Sequence, residues 1–346
     1  MHLHIHSRRS LAAALIALIA ITGLRAVGED LPAKPGVSGE SGPARAFGDL
    51  LVKTCNSDAL EWIPEQKRLL VSAKVNGKDA KLKIDTGALG TLLTLKSAKA
   101  RELPVIDFKA TFSGVGGTGK VYGSPVQRLQ LGGSVDLARQ RVAVVDLPVL
   151  EGIDGLIGGD TLASTKAIID YRQHKMHVPM EGAGFDLEKA AVEAGMLVTK
   201  LEREGNYVFL TMTCGKEAIR LLVDSGATRT VIGTKAADRL KLEVKESAER
   251  AVGAGGKAMA IQSAQIDVLA AGKAEFRDIG CAVLPLDYLD GYSKTGIDGI
   301  LGADCLAASG AVLSIADAIM VLPAQGVVVS AGNEDSGGRG GARSKD

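Results

Sequence analysis

Short runs of alternating apolar and polar residues, separated by tight turns rich in glycine and asparagine, dominate the chain. Residues 69–75 alternate in this way, Asn76-Gly77 follows, and residues 81–84 return. A period of two predicts half-buried β-strands, and Asn-Gly between two such runs is typical of a hairpin turn. Residues 206–223 repeat the arrangement around Cys214-Gly215-Lys216. The pattern predicts a mainly β protein with short helices.

Each hairpin leads into a tight turn that begins with an aspartate. Asp85-Thr86-Gly87-Ala88 follows the first hairpin, and Asp224-Ser225-Gly226-Ala227 follows the second, 139 positions later. Taken alone, either turn is explained by an ordinary Asp-Gly hairpin whose carboxylate caps its own backbone. As a repeated pair, the turns favour two carboxylates supplied by two related halves of the chain.

The segments after each aspartate also match in kind and order. A glycine-rich tip comes first, at residues 112–120 and 252–257, and a Gly-Ile-Asp-Gly loop follows, at residues 152–158 and 296–302. This near-constant spacing is what duplication of a single domain leaves. Asp154, Asp160, Asp298 and Asp304 flank the closing glycines, and we predict that they are turn and helix-cap residues.

The repeats divide the chain into two lobes. We predict an N-terminal lobe at residues 59–180, a connector at 181–195 and a C-terminal lobe at 196–324. A lead-in at residues 29–58, rich in Pro, Gly and Ser, shows no regular period, so we predict a linker. The polar, glycine-rich residues 325–346 are predicted to be disordered.

The N-terminus has the pattern of an export signal at residues 1–28. Arg8 and Arg9 precede an apolar run from Leu11 to Ile21, and Ala26-Val27-Gly28 offers a small-residue cleavage site. The alternative is an uncleaved N-terminal anchor. We therefore expect a periplasmic or secreted protein with no membrane attachment after cleavage.

The composition argues against several classes of binding partner and cofactor. The 346 residues carry a net charge of +1 and only 3% aromatic residues, which argues against nucleic acid. The four cysteines match no zinc site; Cys281 and Cys305 are the most plausible disulfide, and four free thiols are an equal alternative. The two histidines outside the signal, His174 and His177, lie in a predicted strand hairpin. The sequence therefore offers little support for a Ser-His-Asp triad or a metal site. We predict no metal and no cofactor.

The combination of these motifs resembles the aspartic protease superfamily. Two hydrophobic-hydrophobic-Asp-[Thr/Ser]-Gly-Ala turns, each followed by a glycine-rich hairpin and a Gly-hydrophobic-hydrophobic-Gly segment, are similar to retroviral-type lobes. The resemblance covers about residues 60–323. It implies an all-β fold with two pseudo-symmetric retropepsin-like β-barrel lobes, short helices and an active-site cleft between the lobes.

The resemblance also implies an aspartic endopeptidase that hydrolyses peptide or protein substrates. Its implied catalytic pair is Asp85 and Asp224, supported in the active-site turns by Thr86, Gly87, Ser225, Gly226 and Thr228. Its implied substrate-binding flaps contain Gly114, Gly116, Gly117, Gly253, Gly255 and Gly256. A monomer is sufficient to assemble the pair, and a mildly acidic optimum is expected because Ala88 and Ala227 bring no hydroxyl to the aspartates.

One departure from the family pattern keeps an alternative open. The second residue after the motif glycine is often polar in the family and bonds the aspartate; Thr228 fits this pattern, but Leu89 does not. A non-catalytic peptide-binding module is therefore the alternative, and a cell-surface scaffold is a weaker one. The first tip also matches the dinucleotide-binding G-x-G-x-x-G literally, but no helix can begin at residues 121–125, so a nucleotide site is excluded.

Overall fold

The computed structural model describes residues 19–22, 42–147, 150–290 and 293–323. The predicted tail, and all of the predicted signal except Ile19–Thr22, lie outside the described residues. Ile19–Thr22 forms strand β1, which pairs antiparallel with residues 250–253. None of the described helices is long and apolar enough to cross a membrane.

The N-terminal lobe is built on a sheet of eight described strands. These are β3 (Glu61–Ile63), β4 (Arg68–Val75), β5 (Lys78–Ile84), β6 (Leu92–Thr94), β7 (Ile106–Gly114), β8 (Gly117–Leu131), β9 (Val135–Val145) and β10 (Gly155–Ile157). Their order is β3-β4-β5-β10-β6-β9-β8-β7. The predicted Asn76-Gly77 turn joins β4 and β5, and both residues have positive φ, at 50° and 81°, as a type I′ hairpin requires.

The C-terminal lobe repeats this plan. Its strands are β14 (Glu202–Glu204), β15 (Tyr207–Cys214), β16 (Glu217–Val223), β17 (Val231–Gly233), β18 (Lys245–Gly253), β19 (Ala258–Ala271), β20 (Ala274–Leu284) and β21 (Gly299–Leu301). With β1 they form a sheet of nine described strands, in the order β1-β18-β19-β20-β17-β21-β16-β15-β14. In both lobes the strand at the end of the Gly-Ile-Asp-Gly loop is inserted in the sheet between the strand that leads to the aspartate turn and the strand that follows this turn. β10 is parallel to β5 and antiparallel to β6, and β21 is parallel to β16 and antiparallel to β17.

A third sheet combines strands from both halves. It consists of β2 (Cys55–Ala59), β11 (Ile168–Asp170), β12 (Lys175–Pro179), β13 (Leu197–Lys200), β22 (Val312–Ser314) and β23 (Ile319–Leu322), in the order β13-β23-β22-β11-β12-β2. The central pairing, β11 with β22, joins the two lobes. We name this the base sheet.

Six helices occur among the described residues, and all are short. They are α1 (Pro43–Thr54), α2 (Leu95–Ala100), α3 (Gly159–Ser164), α4 (Leu187–Glu193), α5 (Thr234–Leu240) and α6 (Ala303–Ala308). Single-turn 3-10 helices occupy Pro64–Gln66 and Asp287–Leu289. The mainly β fold predicted from the sequence is confirmed.

The predicted linker before residue 58 is wrong for its second part. Residues 43–54 form α1, and β2 follows directly as the edge strand of the base sheet. Phe47 and Leu51, one helical turn apart, are fully buried against Ile168 and Val312 of the base sheet. The segment is ordered because these two apolar side chains and five strand pairs attach it to both lobes.

One apolar core runs through both lobes. It includes Val71 and Leu82 from the first lobe and Leu221 and Val223 from the second. The suggested Cys281–Cys305 disulfide is not formed, and all four cysteines are free thiols. Thr230 donates a hydrogen bond to the Cys305 sulfur at 3.1 Å, and burial raises the pKa of Cys281 to about 12. Buried neutral thiols of this kind act as small apolar core groups.

Candidate active site

The two aspartate turns lie at equivalent points of the two lobes. The Asp85 amide donates to the Ile157 carbonyl of β10 at 3.0 Å, and the Asp224 amide donates to the Leu301 carbonyl of β21, also at 3.0 Å. Each turn closes with a 3.3 Å hydrogen bond from the alanine amide, Ala88 or Ala227, to its aspartate carbonyl. The strand inserted after the Gly-Ile-Asp-Gly loop therefore fixes where each aspartate emerges.

The hydroxyl groups of Thr86 and Ser225 connect the turns reciprocally. Thr86 Oγ1 accepts from the Ser225 amide at 2.9 Å and donates to the Val223 carbonyl at 2.7 Å. Ser225 Oγ accepts from the Thr86 amide at 2.9 Å and donates to the Ile84 carbonyl at 3.1 Å. All these groups are buried, so the four bonds hold the turns together without competition from water.

The glycines of the turns make room for the opposite carboxyl groups. A Cβ atom on Gly87 would overlap the carboxyl of Asp224, and one on Gly226 would overlap the carboxyl of Asp85. Each carboxyl therefore lies directly against the backbone of the other turn. The two aspartates are brought together across the lobe junction, and neither has any exposed surface.

The hydrogen bonding of the two carboxyl groups differs. Asp224 Oδ1 accepts from the amides of Gly226 at 2.6 Å and Ala227 at 3.2 Å. Within the described residues, neither Asp85 oxygen has a partner of normal hydrogen-bond geometry, and neither does Asp224 Oδ2. The turn backbone therefore anchors one carboxyl group more firmly than the other.

Burial raises the pKa of both carboxyl groups. For Asp85, burial is opposed first by the positive charge of Lys83, and then by the Gly87 amide, the Asp224 carboxyl and the Ala88 amide. For Asp224, burial and the charge of Asp85 both act upward, and its pKa lies well above the usual range. Two carboxyls this close and this dry share a proton and titrate as a pair.

Lys83 is a residue of this site that the sequence reasoning missed. It lies on β5 with a side chain only 3% exposed, and its Nζ donates to the Gly226 carbonyl of the opposite turn at 2.6 Å. The same nitrogen lies 3.9 Å from Asp85 Oδ2. A charged residue within an apolar run, where the second repeat has Leu222, was the available signal.

Other polar groups surround the pair from below. Arg68 of β4 is 8% exposed and attracts Asp85 electrostatically. Tyr171, at the end of β11, is buried, and its hydroxyl bonds with Ser225. Trp62 packs edge-on against the Tyr171 ring, with centroids 6.4 Å apart. The base sheet and the N-terminal sheet thus supply the floor of the site.

The predicted flaps are the β7–β8 and β18–β19 hairpins, and their tips meet. The Gly255 amide donates to the Val115 carbonyl at 2.9 Å. A Cβ on Gly255 would overlap the Gly117 backbone, and one on Gly116 would overlap the Lys257 backbone, so these glycines permit the close approach. Gly114 and Gly253 end strands β7 and β18, whereas Gly256 lies in the second tip and does not take part in the close approach.

Each flap places an apolar tip residue in the opposite lobe. Val115 of the first flap is 1% exposed and packs in a cluster with Phe209, Leu222 and Ala227 of the second lobe. Ala254 of the second flap, 3% exposed, packs with Ala88 and Leu92 of the first. The flaps are closed over the aspartates in this structure.

The acidic residues around the closing loops are structural, but the helix-cap prediction is wrong: Gly158 and Gly302 occupy the N-cap positions of α3 and α6, and neither helix has a side-chain cap. Asp160 Oδ1 accepts from the amide and hydroxyl of Thr91 at 2.8 and 2.9 Å. Asp304 receives the same two bonds from Thr230 at 2.9 and 2.8 Å. Asp154 and Asp298 each accept from a backbone amide of the strand that leads to the aspartate turn. These four carboxylates hold the loops that carry the central pair.

Neither Thr228 nor Leu89 bonds its aspartate, although the family often has a polar residue that does so at this position. In the described residues, the Thr228 hydroxyl makes no hydrogen bond to Asp224, whose Oδ1 partners are backbone amides and whose Oδ2 has none. Leu89 packs against the apolar cluster of the second lobe, and its carbonyl accepts from Asn206 at 3.1 Å. The two equivalent positions contribute packing and turn geometry rather than a bond to the carboxyls.

The histidine that was given no role lies in a buried polar cluster of the base sheet. His177 Nδ1 is 2.7 Å from Ser57 Oγ, but its Nε2 is 3.8 Å from Asp170 Oδ2, too far for the hydrogen bond that a catalytic triad requires. His177 and Asp170 are fully buried. No group of three His, Cys, Asp or Glu residues suited to a metal ion occurs in the described parts of the chain.

The comparison with known families agrees with this geometry. A family model described as aspartyl protease matches residues 71–161 and again residues 210–305, one match in each lobe. No curated protein matches the chain at a significant level. The two matched regions cover more than half of the sequence and contain both aspartate turns, both flaps and both closing loops. The chain is a member of the aspartyl protease family, with two retropepsin-like lobes in one polypeptide.

Proposed function

We propose that the protein is an aspartic endopeptidase in which Asp85 and Asp224 activate a water molecule to hydrolyse a peptide bond. The observation that carries this proposal is the pair of buried carboxyls, joined through the reciprocal Thr86 and Ser225 hydrogen bonds. Neither metal nor covalent chemistry is needed by such a pair, because one carboxylate can act as a base while the other acts as an acid.

The chemistry follows from one shared proton. The ionised carboxylate takes a proton from water as the water oxygen bonds to the peptide carbonyl carbon, and the protonated carboxyl gives its proton to the carbonyl oxygen. In the second step the first carboxyl returns a proton to the leaving nitrogen. The other carboxylate takes a proton from the diol, and the C–N bond breaks. Both carboxyls end in their starting forms.

The substrate is expected to be an extended peptide lying between the flaps and the aspartates. Because both carboxyls are fully buried, the flaps must open before a substrate enters. Backbone amides of the glycine-rich tips then face the substrate backbone, as in other cases where an extended peptide is bound through its main chain. The N-terminal signal pattern supports a substrate outside the cytoplasm.

Cleavage of an unfolded protein substrate between pH 3 and 7 tests the proposal. We expect Asp85→Asn and Asp224→Asn each to lower the rate by at least about 10³-fold, since each removes an acid–base group. Asp79→Asn is the matched control, because its side chain is 88% exposed and lies on the same strand that leads to Asp85. A statine-type inhibitor should abolish the activity.

A non-catalytic peptide-binding module is the second candidate. Two observations favour it: both carboxyls are fully covered, and Leu89 puts an apolar side chain where the family often has a polar one. If folded wild-type protein binds peptides but leaves them intact at every pH, the endopeptidase proposal fails and this candidate stands.

A further inference from the structure

Lys83 is a fully buried lysine beside the two carboxyls, and its amine reaches across the lobe junction. It precedes Asp85 by two positions on β5, so both side chains emerge on the same side of that strand. Its Nζ is 2.6 Å from the Gly226 carbonyl oxygen and 3.9 Å from Asp85 Oδ2. A buried ammonium group is expensive unless it is paired, and here the partners are the site itself.

The fold does not require a lysine at this position. Lys83 pairs with Leu156 in the first lobe, and Leu222 occupies the equivalent place opposite Ile300 in the second. Leu222 is 1% exposed and belongs to the apolar cluster of its lobe. One chain thus carries both versions of the same structural position, and only the Asp85 side is charged.

The charged and titratable groups that face the pair come from several elements. Lys83 attracts both aspartates, and Asp85 more strongly; Arg68 attracts Asp85, and the two aspartates repel each other when both are charged. Tyr171 faces both aspartates, and Tyr288 faces Asp224. Burial lowers the pKa of Lys83 to about 8 against the raising effect of Asp85, so the amine is charged at neutral and acidic pH. The positive charge is therefore present wherever an acidic protease would work.

We propose that Lys83 is a positioning residue that keeps Asp85 ionised, so that Asp224 carries the proton shared by the pair. The inference rests on the proposed function and assigns the roles within it. Asp85 accepts the proton from water, and Asp224 donates its proton to the peptide carbonyl oxygen.

The surroundings of Asp224 determine which of its oxygens carries the proton in this assignment. Its Oδ1 accepts two backbone amides, which by themselves favour the ionised form, and its Oδ2 has no partner in the described residues, so Oδ2 is the oxygen left free for the proton. In the symmetric arrangement of two identical turns, either carboxyl could hold the proton. The ammonium group on one side removes that equivalence, because it stabilises the charged form of the nearer carboxyl more than that of the farther one.

The test replaces Lys83 with methionine and follows the carboxyl groups directly. Methionine is unbranched and of similar length, and an apolar side chain is already accommodated at Leu222. The carboxyl carbons of ¹³C-aspartate-labelled protein are titrated by NMR, and the Asp85→Asn and Asp224→Asn variants provide the assignments. The pH profile of kcat/KM is measured on the same samples. Lys81→Met is the matched control, since it removes an exposed lysine from the same strand.

We expect Lys83→Met to raise the titration midpoint of Asp85 by about 1–3 pH units, the range for loss of a close opposite charge. The acidic limb of kcat/KM should move upward with it, and Lys81→Met should move neither. Unchanged carboxyl midpoints in Lys83→Met would overturn the inference while leaving the endopeptidase proposal intact.

Two further outcomes are distinguished by the same design. If no sample cleaves peptide, the proposed function fails, and the carboxyl titration still decides whether Lys83 keeps Asp85 ionised. If Lys83→Met does not fold, the titration of the wild-type protein tests the role of Lys83 instead. Deprotonation of Lys83 should then shift the carboxyl carbon resonance of Asp85 more than that of Asp224. An Asp85 resonance that does not shift when Lys83 loses its proton overturns the inference.

Discussion

The two aspartate turns share their framework and differ in their charges. In both turns the aspartate amide donates to a carbonyl of the strand inserted beside it, a Thr or Ser hydroxyl donates and accepts across the lobe junction, and a glycine leaves room for the opposite carboxyl. The first has a buried lysine beside it where the second has Leu222. Within the described residues two backbone amides bond the second carboxyl, whereas the oxygens of the first have no partner of normal hydrogen-bond geometry. Geometry is duplicated, whereas electrostatics is not.

This difference teaches which features depend on symmetry. The hydroxyl and glycine contacts cross the lobe junction, so each turn needs the other to keep the same shape. The charge on Lys83 acts locally, and a chain with both lobes in one polypeptide can carry it on one side alone. A homodimer of identical lobes would place two ammonium groups at the pair.

The shared framework gives the largest expected effect. Thr86→Val and Ser225→Ala each leave a buried amide and a buried carbonyl without a partner, and we expect each to lower the unfolding free energy by about 4 kcal/mol. The loss should be slightly larger for Thr86, whose donated bond is 2.7 Å against 3.1 Å for Ser225. Urea denaturation of both variants and of the double variant measures this, with exposed Thr118→Val as the control. Fully additive losses would contradict a reciprocal arrangement.

The charge difference gives the next effect. Asp85→Asn removes the counter-charge of buried Lys83, whereas Asp224→Asn replaces a protonated carboxyl with an equally neutral amide, so at pH 7 the first variant should be less stable than the second by about 3 kcal/mol. A lysine pKa lowered on folding reduces stability as pH falls from about 10.5 to about 8. The gap between the variants should therefore narrow as pH rises through this window, as thermal unfolding at several pH values will show. Equal stability at pH 7 would mean that Lys83 is not paired with Asp85.

The smallest effect concerns Thr228. Its hydroxyl bonds neither oxygen of Asp224 in the described structure, so Thr228→Val should change the unfolding free energy by less than about 0.5 kcal/mol. Cleavage rates should stay within about twofold, since no acid–base group is touched. A large loss of activity with unchanged stability would instead give this hydroxyl a role once the flaps open.

Much of the fold could be predicted because its signals are local. The alternation around Asn76-Gly77, the two Asp-[Thr/Ser]-Gly turns and the glycine tips each specify a hairpin or turn within a dozen residues, and the structure has them at those places. The edge strand β2 of the base sheet was missed because its sequence, Cys-Asn-Ser-Asp-Ala, has no strand pattern and is ordered by its partner β12. Its pairing is a tertiary effect that no local pattern records.

Only the part of the site that depends on local motifs could be predicted. Local motifs identified Asp85, Asp224 and their turns, but the role of Lys83 depends on Gly226, which lies 143 positions away. Thr228 was assigned a bond by family analogy that the turn geometry does not provide. Contacts between lobes, unlike turns within them, leave little trace in a single sequence.

The exchanged flap tips have a kinetic consequence. Val115 and Ala254 each lie in the opposite lobe, and their hairpins share the bond from Gly255 to Val115, so freeing one tip removes a contact of the other. We expect opening to behave as one event that precedes peptide entry. Observed binding rates in stopped-flow should then rise with peptide concentration to a plateau, and that plateau is the opening rate of the empty protein rather than a property of the peptide.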